Sequence, residues 1–191
     1  MNNSILGVVL AGGQASRMNY VAKGLTQYQG HALVSYPLKA MDGVCQTLMI
    51  NANYDQAAYQ AWGLSVFNDG PDCLDKGPLS GIYAALFQAQ QLGLSHLMVS
   101  PCDTPLVNHS VFELLKGKAQ AEPDRIFYIE SDSGIQPLHA ILPVASMAEK
   151  LKLYLDGQAR VMLFYRQQGA QSVYWENESA FLNINYLDQL V

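Results

Sequence analysis

The sequence predicts an α/β protein: a single-domain three-layer sandwich with helices on both faces of a mainly parallel sheet. Short apolar runs alternate with helix-like stretches along the first half of the chain, as in successive βαβ units. Those runs are continuously apolar rather than alternating, which suits strands buried on both faces. Half of the 191 residues are apolar, enough for a sizeable core in one domain.

The elements follow in order. Ser4 to Leu10 (SILGVVL) reads as the first buried strand and breaks at once into Ala11-Gly12-Gly13, a loop signal. Thr47 to Ile50 (TLMI), Leu64 to Phe67 (LSVF) and His96 to Val99 (HLMV) read as three more strands. Asp55 to Trp62 reads as a helix with Asp55 placed to cap it. Ser80 to Leu92 is the clearest helix: Ile82, Leu86 and Ala89 fall at helical spacing, and Gly93 is placed to end it. Further on, Ile126 to Glu130 and Leu138 to Leu142 read as strands. Pro143 opens a helix to Leu155, Arg160 to Gln167 forms another, and Ser172 to Trp175 is a final strand. There is no internal repeat, low-complexity tract or linker, so residues 1–191 read as one domain.

Composition narrows the function classes. The formal net charge is -5 and only 14% of residues are charged. That weighs against nucleic acid as a partner, which calls for a basic footprint, and still allows a local basic site for phosphates. Cys45, Cys73 and Cys102 are odd in number and form no CxxC pair, as expected of reduced thiols in a cytoplasmic protein. No signal peptide is legible. No apolar run approaches the roughly 18 residues of a membrane span.

Three segments can carry chemistry. A sheet of this kind binds ligands beyond the carboxyl ends of its strands, and two of the segments directly follow predicted strands. The first is Leu10-Ala11-Gly12-Gly13 with Arg17 and Lys23. Its adjacent glycines let the backbone approach a ligand, its N–H groups can form an anion-binding nest, and its two cations suit a triphosphate. It matches neither the Walker pattern nor GxGxxG. Taken alone it fits an ordinary βα turn as well. The second is Pro101-Cys102-Asp103-Thr104-Pro105, where a carboxylate just past a buried strand can hold Mg²⁺ or simply begin a turn. The third is Lys76 to Gly81 (KGPLSG), at the start of the clearest helix. Ser80 could cap that helix and aim its backbone donors at a ligand, although a plain capped loop suffices to explain it. His31, His96, His109 and His139 lack metal-ligand spacing, and no nucleophile motif is present.

Taken together and in this order, these blocks resemble the molybdenum cofactor guanylyltransferases, members of a larger nucleotidyltransferase group with a Rossmann-like fold. The family opens with a strand and LAGG-x-S-x-RM-G-x-D-K; this chain has LAGGQASRMNYVAKG. Asn51 in INAN, Asp69 in FNDG, GPLSG at Gly77 to Gly81 and PCDTP at Pro101 to Pro105 follow in the family's order. So do QPLHAIL at Gln136 to Leu142, RVMLF at Arg160 to Phe164 and FLNIN at Phe181 to Asn185. The chain departs from the pattern at Asn19, where the family usually has Gly, and at Ala22, where it usually has Asp.

The resemblance implies a GTP site. Leu10, Ala11, Gly12 and Gly13 would contact the nucleotide through backbone, Lys23 and Arg17 would meet phosphates, and Asn51 and Asp69 would hold the nucleoside. Asp103 would hold magnesium, and Asn183 and Asn185 would form part of the acceptor site. The implied reaction joins GMP from GTP to the terminal phosphate of molybdenum-molybdopterin and releases pyrophosphate. The acceptor phosphate is already an anion, so no strong base is needed; Mg²⁺, Lys23 and Arg17 would offset the repulsion between the two anions. The implied partners are GTP and molybdenum-molybdopterin, with transient contact to molybdenum-cofactor delivery proteins or target enzymes. Three alternatives stay open: a molybdopterin cytidylyltransferase (typically LAAG and GDMP rather than LAGG and PCDTP), a sugar-phosphate nucleotidyltransferase, and a non-catalytic nucleotide-binding relative.

Overall fold

The computed structural model describes residues 4–12, 22–70, 76–157 and 159–184. Its frame is a seven-stranded sheet, and two further strands among the described residues form a small hairpin. Strand β1 (Ile5–Leu10) lies inside the sheet because Ile, Leu and Val fill both of its faces and leave five of its six residues buried. It pairs in parallel with β4 (Thr47–Asn51) on one side and with β6 (His96–Pro101) on the other. β5 (Ser65–Phe67) extends the sheet in parallel beyond β4. β8 (Gly134–Pro143) runs antiparallel to both β6 and β7 (Phe127–Ser131), and β9 (Gln171–Tyr174) closes that edge parallel to β7. Four of the six pairings are therefore parallel, as the sequence predicts. The hairpin is β2 (Gln27–Tyr28) with β3 (His31–Ala32).

Helices cover both faces. On one face α1 (Ser35–Met41) and α4 (His109–Ala121) bury Leu38, Met41, Val111, Phe112 and Leu115 against the sheet. On the other, α3 (Pro78–Gln91), α5 (Val144–Leu155) and α6 (Val161–Gln167) bury Leu79, Ile82, Leu86, Met147, Leu151 and Phe164. The short α2 (Gln56–Tyr59) runs directly into a 3₁₀ turn at Gln60–Trp62.

α1 and α4 have no counterpart among the sequence expectations. α1 is short and carries Pro37, which is tolerated because a proline in the first turn removes an N–H that has no intrahelical partner. α4 has a side-chain cap: Asn108 accepts a hydrogen bond from the Ser110 N–H at 3.1 Å. Two capping expectations are corrected. Asp55 precedes α2 but adopts left-handed φ 51° and makes no side-chain cap bond. Ser80 lies inside α3, whose first helical residue is Pro78; its hydroxyl reaches back to accept from the Lys76 N–H at 3.2 Å. Gly93 does end α3. At φ +66° it donates to the Gln90 carbonyl while Leu94 donates to Ala89, the paired closure of a Schellman motif.

Candidate active site

The register sets the site. Leu10 stands level with both Asn51 and Pro101, and Asn51 with Phe67, so the carboxyl ends of β1, β4, β5 and β6 finish at one height. β1 has β4 on one side and β6 on the other, which makes this the switch point where an open α/β sheet leaves a crevice. Main-chain bonds fasten the loops there: the Ala11 N–H donates to the Asn51 carbonyl at 2.8 Å and the Cys102 N–H to the Leu10 carbonyl at 3.2 Å. Above them opens a cleft of about 490 Å³.

One wall is an amide–carboxylate cluster centred on Asp69. Asn51 Nδ2 donates to Asp69 Oδ1 at 2.8 Å and Asn53 Nδ2 to Oδ2 at 2.9 Å. The Asp69 N–H donates in return to Asn53 Oδ1 at 3.0 Å. Asn51 is 2% exposed, and because a carboxylate only accepts, the Asp69 contact turns the NH₂ end of its amide toward Asp69. The N-terminus of α3 closes in behind it. A Cβ on Gly81 would stand 2.6 Å from Asn51 Oδ1, so only glycine lets helix and carboxamide approach this closely.

The other wall is a charge pair. Lys23 Nζ donates to Asp103 Oδ2 at 2.5 Å and reaches Asn183 Oδ1 at 3.4 Å. Both charged side chains are largely shielded, at 18% and 15% exposure. Asp103 Oδ1 is buried and receives no hydrogen bond from any described residue. The Asp103 carbonyl accepts from the Ile184 N–H at 2.8 Å, which ties the C-terminal segment to this loop.

Of the residues singled out in the sequence, Leu10, Gly12, Lys23, Asn51, Asp69 and Asp103 line this one cleft, with Gly77 and Gly81 of the GPLSG block. Ala11 is turned inward and is 4% exposed, and its N–H is committed to the Asn51 carbonyl. Asn183 meets the cleft through Lys23. Gly13, Arg17 and Asn185 lie outside the described residues. Asn53, Tyr54 and Leu138 line the cleft as well and were not anticipated. For Asn53 the INAN pattern held a signal, since residues two apart at a strand end share a side. Cys102 borders the cleft, but burial of its thiol in the core, with the Asp103 carboxylate beside it, pushes the pKa up to about 12, which disfavours a thiolate nucleophile.

The buried, undonated Oδ1 of Asp103 fits a hard cation. Magnesium takes one or two carboxylates and completes its shell with water and phosphate oxygens. Among the described residues no group of three or more His, Cys, Asp or Glu side chains forms a self-sufficient metal cage. Among them, too, no helix is long and apolar enough to cross a membrane.

Residues 7–172 match the model of the MobA-like NTP transferase domain. A molybdenum cofactor guanylyltransferase of Ralstonia pickettii is 33% identical, the alignment covering 98% of this chain and 95% of that protein. One of Histophilus somni is 34% identical, covering 100% of this chain and 96% of that protein. Among solved structures, the molybdopterin-guanine dinucleotide biosynthesis protein A of Archaeoglobus fulgidus superposes with a TM-score of 0.72 at 22% identity, over 97% of this chain and 94% of that one.

Proposed function

The chain belongs to the MobA-like NTP transferase family, and on that premise we propose that it transfers GMP from GTP to the terminal phosphate of molybdenum-molybdopterin, releasing pyrophosphate. The observation that carries this reading is the meeting of Lys23, Asp103 and Asn183 at one side of a cleft whose other side is Asn51 and Asp69. A cation, a carboxylate oxygen without a described donor and an amide lie together, the groups that bringing two phosphates into contact calls for.

In this reading the backbone of Leu10, Gly12 and Gly13 carries the nucleotide, and Asn51 and Asp69 hold its nucleoside part. Lys23 and Arg17 neutralise phosphate oxygens, while Asn183 and Asn185 present the acceptor. Asp103 would hold magnesium, with Oδ1 as the oxygen that Lys23 leaves unengaged. Magnesium, when bound, withdraws charge from the phosphate oxygens and so lowers the barrier to attack at the α-phosphorus. The acceptor phosphate needs no base, and the buried neutral His139 and the un-ionised Cys102 are not asked to supply one. The reaction calls for a cytoplasmic protein, with cofactor-delivery proteins or target enzymes as transient partners.

The experiment is guanylyl transfer by the intact chain, with calorimetric binding of GTP, CTP, ATP and UTP in magnesium. GTP should bind tightest. Asp103→Asn keeps the size but removes the charge, and transfer should fall by about a hundredfold with a raised magnesium requirement and an unchanged melt. Tighter CTP binding, or a folded Asp103→Asn protein with wild-type rate and magnesium dependence, would overturn the reading.

A further inference from the structure

His139 sits in β8, the strand antiparallel to β6, and its ring is 1% exposed. Its Nε2 lies 3.0 Å from Thr104 Oγ1, a hydroxyl in a residue that is itself 2% exposed. The ring also packs edge-to-face against Phe181, centroids 5.0 Å apart. Its chain neighbour Leu138 lines the cleft, but His139 does not. Two buried polar groups that satisfy each other in apolar surroundings add little net stability over an apolar pair. What they add is directionality, because a hydrogen bond has one good geometry and a methyl contact has many.

The two things His139 touches are informative. Thr104 follows Asp103 in the chain, and Phe181 stands two residues before Asn183. Asp103 and Asn183 both accept from Lys23 Nζ. The Ile184 N–H to Asp103 carbonyl bond closes the circuit. We infer that His139 is a positioning residue: through Thr104 it fixes the Asp103 carboxylate, and through Phe181 it fixes the segment bearing Asn183, so that cation and acceptor sides of the site keep one spacing. The inference rests on the nucleotidyl-transfer reading above.

The test uses His139→Phe, which fills the space without the hydrogen bond, Thr104→Val, and the double variant, each in the full chain. Two readouts are needed: kcat and KM for guanylyl transfer, and manganese binding in the presence of a non-hydrolysable GTP analogue, followed by electron paramagnetic resonance. Each single variant should lose about tenfold to a hundredfold in kcat, as small misplacements near a reacting centre do, with KM for GTP nearly unchanged. Manganese should bind more weakly. The double variant should be little worse than either single one, because both remove the same contact. His139→Gln, which can still reach a hydroxyl, should recover part of the rate. A purely structural role predicts a lower melting temperature with wild-type kcat and manganese affinity per folded molecule, and that result, or additive losses in the double variant, overturns the inference. If His139→Phe does not fold, Thr104→Val alone decides by the same readouts. Absence of transfer in the wild-type chain would strike the functional reading instead, leaving manganese binding to judge His139.

Discussion

At the residue scale, Lys23 has two roles at once. It neutralises Asp103 in the structure, and in the proposed reaction it meets phosphate. Lys23→Ala should therefore weaken GTP binding by about tenfold or more, the effect of losing a charge-assisted contact worth about 1.5–3 kcal/mol. Calorimetry on the folded variant checks this, and unchanged affinity would remove Lys23 from the phosphate site. The histidines give a pH prediction. Burial lowers the pKa of His139 from 6.5 to about 3 and also lowers that of His96, against the pull of the Pro123 carbonyl. The unfolded chain then binds protons that the folded chain refuses, so the stability is complete above about 6.5 and is lost as pH falls from there toward 3. Urea melts should show stability falling between pH 7 and pH 5 by up to about 1.4 kcal/mol per pH unit per histidine, with a smaller slope in His139→Phe. A flat profile would contradict the depressed pKa values. Asp103 and Lys23 were legible in the sequence, the first because it closely follows a strand-forming run and the second because it closes the segment that begins with the glycine pair. The Thr104–His139 contact was not: its partners are 35 residues apart and meet only because β8 turns back along β6.

At the element scale, the N-terminus of α3 is shaped by what it must not carry. Alanine is the better helix former by about 0.8–1.0 kcal/mol, so Gly81→Ala would stabilise an isolated helix. Here the added Cβ would stand 2.6 Å from Asn51 Oδ1 and 3.1 Å from Leu10 Cδ2. Asn51 is pinned by Asp69 and cannot yield cheaply. The expected outcome is a net loss of about 1–3 kcal/mol, the usual cost of overpacking, together with weaker GTP binding; a stabilised variant with normal binding would show that the wall is softer than it looks. α3 itself was readable because its apolar residues repeat at helical spacing and Gly93 closes it. α1 was not, since seven residues hold too few turns for a period to emerge. α4 carried the signal, with Asn108 as cap and Val111 and Leu115 four apart, but it follows the Pro-rich PCDTP turn, where loop chemistry dominates the local pattern.

At the scale of the whole molecule, the layer arrangement followed from the sequence because continuous apolar runs leave a sheet no exposed face. Strand direction in the second half did not follow, since an apolar run reads alike in either orientation and the reversal of β8 is a property of the sheet and not of the strand. The contacts of Lys23 also have a bearing in time. Asp103 and Asn183, which it contacts, lie 80 and 160 residues further along the chain. While the protein is being synthesised, β1 and β4 are complete before β6 arrives, and the segment with Asn183 emerges later still. Long-range pairings of this kind close late and slowly. The Lys23 wall of the cleft thus takes shape after the strands beneath it, and an assembled cleft is a sign that those strands have already found their places.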